Sequence, residues 1–106
     1  MTPVKVLEVL DLYEQAFIRS GIGKSQAKLD VRLNGSSALA RIYLSLTHCH
    51  SMIDEMRQFV AEGRMDKVFR WLGFIQGVLW VNGWYTLEEL MNHNRPGDGS
   101  TFDASK

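Results

Sequence analysis

The sequence has little of what staples, breaks or strongly charges a chain. There is one cysteine, Cys49, so no intramolecular disulfide is possible. That suits a reducing compartment, or a fold that needs no covalent staple. The two prolines stand near the ends, Pro3 where a first helix would begin and Pro96 where a last one would break. Neither sign of charge is in excess: 12 Lys and Arg balance 12 Asp and Glu. A strongly basic nucleic-acid coat or a polybasic membrane binder is therefore not indicated. No long hydrophobic run exists. The most apolar stretch, Trp71 to Val81, contains Gln76 and falls well short of the roughly 20 residues a bilayer span needs. The first residues turn charged early, at Lys5, Glu8 and Asp11, without the basic start and apolar run of a signal peptide. The expectation is a cytoplasmic protein. Repeats and low-complexity tracts are also missing.

What is present is ordinary globular composition, 45% apolar and 23% charged over 106 residues, enough for one domain. Thr2-Pro3 is a helix start, and Val6, Val9, Leu10, Tyr13, Ala16 and Phe17 form one stripe on a helix over about residues 3 to 20. Residues 21 to 36 carry Gly21, Gly23 and an Asn34-Gly35 turn signal. Leu29, Val31 and Leu33 alternate with Asp30 and Arg32, yet one short strand has no partner, so an extended, packed loop is expected. Loops of this length inside a domain are often functional.

Ser36 or Ser37 caps a second helix. Its apolar residues Leu39, Ile42, Leu46, Cys49, Ile53, Met56 and Val60 are spaced by alternating threes and fours, a heptad seam ending at Glu62-Gly63. The short connection makes the third helix antiparallel to it. That helix has two stripes: Met65, Val68, Leu72, Ile75 and Leu79, and then Trp71, Phe74, Val78 and Val81. One stripe should meet the second helix, the other the first helix or another chain. Gly73 and Gly77, four apart, suggest a close helix approach, since glycine in a helix costs roughly 1 kcal/mol relative to alanine. Thr86 and Glu89 make a capping box for a short fourth helix, flanked by Tyr85 and Leu90 as a hydrophobic staple. The expected architecture is an all-α helical bundle, with a long antiparallel hairpin of helices 2 and 3, and helix 1 and helix 4 packed on it. Residues 1–96 form the domain and 97–106 a flexible polar tail.

Most chemical motifs dissolve on inspection. Gly21-Ile22-Gly23-Lys24-Ser25 resembles the end of a phosphate loop, but the motif's first glycine falls on Ile18 and a helix, not a strand, precedes it. It reads as a helix stop and a solvated loop. His48-Cys49-His50 looks like a metal cluster. On a helix, however, residues two apart point about 200° apart, so the two histidines cannot share a metal. Cys49 belongs to the seam, and one histidine is expected to hydrogen-bond beside it. The acidic residues, Asp54-Glu55 included, lack the spacing of a helical metal-dependent hydrolase, and no nucleophile–base arrangement stands out. No catalytic residue, metal or cofactor is assigned; the chain is expected not to be an enzyme.

Two groups point to binding. Lys24, Lys28 and Arg32 lie in the long loop, and Arg57, Arg64, Lys67 and Arg70 near the helix 2–helix 3 turn. If the loop folds back, they form one positive patch for a phosphate-bearing ligand, a nucleic-acid backbone or an acidic protein surface. Trp80, Trp84 and Tyr85 are the alternative interface, because Trp and Tyr dominate protein-binding anchors.

The stretch Arg70-Trp71-Leu72-Gly73-Phe74-Ile75-Gln76-Gly77, with Leu79-Trp80, Tyr85-Thr86-Leu87-Glu88-Glu89-Leu90 and His93-Asn94-Arg95-Pro96, resembles a family of small proteins from tailed bacteriophages and prophages. The resemblance covers about residues 50 to 96. It implies an origin, and through it action by binding a host protein or a host defence component; it assigns no catalytic residues. The expectation is a non-enzymatic phage accessory protein in the host cytoplasm, homo-oligomeric through helix 3, with a host protein as partner. The alternative is a binder of a phosphate-bearing ligand, such as a sequestered nucleotide signal or a nucleic-acid backbone, through the basic loop and turn.

Overall fold

The computed structural model describes residues 1–29, 32, 33 and 37–95. The Asn34-Gly35 turn, Val31 in the alternating segment and the expected tail at 97–106 lie outside the described residues.

Among the described residues four helices follow one another: α1 (Pro3–Arg19), α2 (Ala38–Ala61), α3 (Met65–Val81) and α4 (Leu87–Asn94). Each start has a local cause. Thr2 Oγ1 accepts from the Lys5 N–H at 3.1 Å, and Ser37, not Ser36, caps α2 by accepting from Ala40 N–H at 3.1 Å. The capping box of α4 is complete: Thr86 Oγ1 accepts from Glu89 N–H at 3.1 Å, and Glu89 Oε1 accepts from Thr86 N–H at 2.9 Å. The start of α3 differs, since Arg64 stands at the cap position and supplies no side-chain bond. Gly63 turns α2 into α3 with φ +74°, a conformation that a residue with a Cβ resists.

Three pairings show that α2 and α3 run antiparallel. Phe59 meets Trp71 edge-to-face at 5.0 Å, His48 meets Phe74 at 6.0 Å, and Asn82 Nδ2 donates to Ser45 Oγ at 3.4 Å. Helix α1 lies on α2, and α4 on α1. The core is Val6, Leu10, Tyr13 and Phe17 from α1, Cys49, Ile53 and Met56 from α2, and Val68, Ile75 and Leu79 from α3.

A polar network crosses this core. Gln76 Nε2 donates to Tyr13 Oη at 3.0 Å, and Tyr13 in turn donates to His93 Nδ1 at 2.8 Å. Gln76 and Asn94 exchange two amide bonds, at 2.6 and 2.9 Å. Helices α1, α3 and α4 are thereby tied to one another by side-chain hydrogen bonds inside the protein. Burial also holds the Tyr13 phenol well above its usual range.

Several expectations are corrected. The regular seam of α2 is buried only from Leu46 to Met56, with Val60 half-buried; Leu39 is 79% and Ile42 41% exposed. The reason is length: α3 ends opposite Ser45, so the first two turns of α2 project beyond it. In α3 the first stripe is buried from Val68 to Leu79, whereas the second is uncovered at Phe74 and Val81. Among the described residues no helix packs against Gly73 or Gly77; a Cβ at either would meet nothing within 4 Å. No described helix is long and apolar enough to cross a membrane.

Candidate binding site

The loop after α1 is packed along α2 by hydrogen bonds from both histidines. His48 Nδ1 accepts from Ala27 N–H at 3.0 Å, and His50 Nδ1–H donates to the carbonyls of Ile22 and Gly23 at 2.8 and 3.2 Å. Ser25 N–H adds a bond to Thr47 O at 3.2 Å, and Gln26 Nε2 donates to Glu55 Oε1 at 2.8 Å. The sequence motif around Cys49 thus has a structural role on both sides of the cysteine, where sequence reasoning expected one. Cys49 itself is buried, which pushes its thiol up to about 12 and leaves it without nucleophilic character at neutral pH. Among the described residues no group of three or more His, Cys, Asp and Glu could hold a metal ion.

The basic residues divide sharply. Lys24 lies 2.8 Å from Asp54 and 3.7 Å from Glu14. Arg57 grips Glu14 through both terminal nitrogens at 2.9 and 3.0 Å and reaches Asp11 at 2.7 Å. Its hydrogen bonds hold the Glu14 carboxyl below the usual range, as Lys24 does for Asp54. These two cations tie the loop, α1 and α2 together and do not belong to an open patch. Lys28 and Arg32 are exposed and make no ion pair with any described residue.

The start of α3 uses its cations differently. Arg64 and Lys67 lie over the Phe59 ring at 4.8 and 4.6 Å, and Lys67 is also 5.4 Å from the Trp71 ring. Arg64 has a distant acidic partner, Glu62 at 3.5 Å, and Arg70 has none among the described residues. All three, with Asp66, edge a hollow of about 330 Å³ around the first turn of α3.

Arg70 also edges a second and larger concavity. A cleft of about 440 Å³ opens between the packed loop and the α2–α3 hairpin. Trp71 and Phe74 line it, with Met52, His48, Ser51 and Glu55 from α2 and Gln26, Ala27 and Leu29 from the loop. Sequence reasoning took Arg70 for this region but missed His48, Glu55 and Phe74. His48 and Glu55 lie seven apart on α2 and Phe74 meets His48 from α3; the loop alongside makes a cleft of them, and no local pattern encodes its path.

A third concavity, a groove of about 330 Å³, lies between α3 and α4. Trp80, Leu87 and Met91 flank it at 48%, 56% and 61% exposure, and Gly77 opens it. Of the expected aromatic interface only Trp80 is exposed. Trp84 packs on Phe17 at 5.3 Å and Tyr85 on Tyr13 at 5.6 Å, both half-buried against the core.

No family model matches this chain, and no curated protein or solved structure is similar to it.

Proposed function

We propose that this chain is a non-catalytic binding protein whose working surface is the outer side of α3. The observation that carries it is the groove between α3 and α4. Trp80, Leu87 and Met91 are large apolar side chains half-exposed or more around one concavity, and Gly77 offers no side chain to fill it. Isolated surface apolar residues are ordinary, but several around one groove mark an interaction site, and a tryptophan is the commonest anchor. The partner is a protein presenting an apolar side chain or helix face. With the phage resemblance, that partner is a host protein met in the host cytoplasm. A second copy would pack on the uncovered Val81 and the projecting Leu39 and Ile42.

A photo-crosslinking residue placed at Met91 tests the groove in extract of the host. One host protein should be captured by the parent, and at least tenfold less of it when Trp80 and Leu87 are both replaced by alanine. Equal capture by both forms would remove the groove as the docking site. Light scattering tests self-association, which should give at least a dimer at low micromolar concentration.

A second reading is favoured by the hollow at the start of α3. There Arg64, Lys67 and Arg70 surround a helix start that lacks a side-chain cap. Backbone N–H groups at such a start favour an anion, so the hollow suits the phosphate of a ligand. Inorganic phosphate should bind it weakly, and rising salt should weaken that binding.

A further inference from the structure

The cleft beside Arg70 has the size and chemistry of a ligand site, and its groups differ in kind from those of the α3–α4 groove. Its volume, about 440 Å³, lies within the range of small-molecule pockets. Two aromatic rings line it and are held in place. Trp71 is braced edge-to-face by Phe59 at 5.0 Å and by the Lys67 ammonium at 5.4 Å; Phe74 is braced by His48 at 6.0 Å. Phe74 nonetheless remains 52% exposed, so part of its ring is uncovered. A flat ring is the natural cover for such a surface.

The polar groups around the rings remain partly unused. His48 Nδ1 accepts from Ala27 N–H, which places the proton of the neutral ring on Nε2, and this nitrogen has no partner among the described residues. Glu55 gives one carboxylate oxygen to Gln26 and keeps the other. Ser51 donates to the carbonyl of His48 at 2.6 Å, so its oxygen can still accept. The cleft therefore offers a donor and acceptors to the edge of a ring. Arg70, without an acidic partner among the described residues, stands where this cleft meets the cationic hollow at the start of α3.

We propose that this cleft binds a nucleoside monophosphate, with the base over Phe74 and Trp71 and the phosphate on Arg70. The anion-binding end rests on the second reading above; the base-binding end is independent of it. Glu55 and Ser51 accept from ring N–H groups, and His48 Nε2–H donates to a ring nitrogen or carbonyl. Glu55 would repel an anion lodged deep in the cleft, which directs the charged group outward to Arg70, where Lys67 and Arg64 add positive potential.

Calorimetric titration of the full chain with GMP, AMP, guanosine and inorganic phosphate tests this. At least one nucleotide should bind at least tenfold more tightly than either guanosine or phosphate alone. Arg70→Ala should weaken the nucleotide tenfold or more and leave guanosine unchanged, whereas Phe74→Ala should weaken both. Both side chains are exposed, so the variants should fold, and circular dichroism checks that they do. Phosphate binding as tightly as the nucleotides would overturn the base site and leave the hollow as a simple anion site. Absence of any binding at millimolar ligand would overturn both. Nucleotide binding that survives Phe74→Ala at full strength would place the ligand elsewhere and equally defeat the proposal.

Discussion

On one side of α3, Val68, Leu72, Ile75 and Leu79 are at most 3% exposed; on the other, Phe69, Phe74, Trp80 and Val81 are between 41% and 74% exposed. The outer side also carries four large apolar residues, interspersed with Asp66, Arg70, Gly73 and Gly77. The two sides differ in neighbours. Helix α2 and the core side chains of α1 close the inner side, while α4 contributes only the edge of a groove to the outer side. Hydrophobic periodicity says that a helix has an apolar stripe; it cannot say that the chain owns a second element to cover it. An apolar stripe left bare is where this molecule can gain by meeting another.

The widest separation between the two sides should come from adjacent residues. Ile75→Ala removes a fully buried side chain and should cost about 2–5 kcal/mol. Phe74→Ala, although the larger truncation, should cost under about 1 kcal/mol, because its ring is half in water already. Urea unfolding of the two variants measures the difference. Equal losses would mean that Phe74 is covered in solution, and so that the outer side is an assembly interface at the concentration used.

Charge repeats the contrast at lower amplitude. Arg57 is held by Glu14 and Asp11, and Arg57→Ala should cost roughly 1–3 kcal/mol, since it strips charge-assisted bonds from the partly buried Glu14. Arg70 has no acidic partner among the described residues, and Arg70→Ala should change stability by no more than about 0.5 kcal/mol. The pH profile should carry the same signature. Glu14 and Asp54 have folded-state values below their ordinary 4.5 and 3.8. A depressed carboxylate stabilises the fold above its unfolded value, and that contribution is lost as pH falls through the folded value. Stability should therefore be level near neutrality with respect to these two groups and decline below about pH 4.5. Arg57→Ala should flatten that decline, and Arg70→Ala should leave it unchanged.

Much of the fold was legible because its signals are local. Thr2, Ser37 and the Thr86–Glu89 box announce helix starts within four residues of themselves, and the inner stripe of α3 follows from spacing alone. The candidate sites were legible only in part. In the sequence Arg70 has Asp66 four before it on the same helix, whereas Lys24 has no acidic residue within five positions, yet it is Lys24 that is paired in the structure. Lys24 is consumed by Asp54, thirty positions away, because the loop runs along α2. Likewise Leu39 and Met56 occupy the same seam, but α3 ends opposite Ser45 and leaves Leu39 in water. Which charges pair and which stripes are covered is decided by where separate elements stop, and periodicity does not carry that information.

The smallest expected effect lies at the two glycines of the outer side. Both have ordinary helical backbone, and a Cβ at either would meet nothing within 4 Å. In an isolated chain, Gly73→Ala and Gly77→Ala should each stabilise the helix by about 0.5–1 kcal/mol, raising the melting temperature by a few degrees. They should differ in binding, because only Gly77 lines the groove between α3 and α4. A methyl group there occupies the space an inserted partner side chain would use, so Gly77→Ala should weaken partner capture several-fold while Gly73→Ala leaves it intact. If both substitutions destabilise the protein instead, a backbone must lie within contact distance of both glycines in solution. No helix among the described residues does so; that result would put a second copy against α3 and make the outer side the interface between copies.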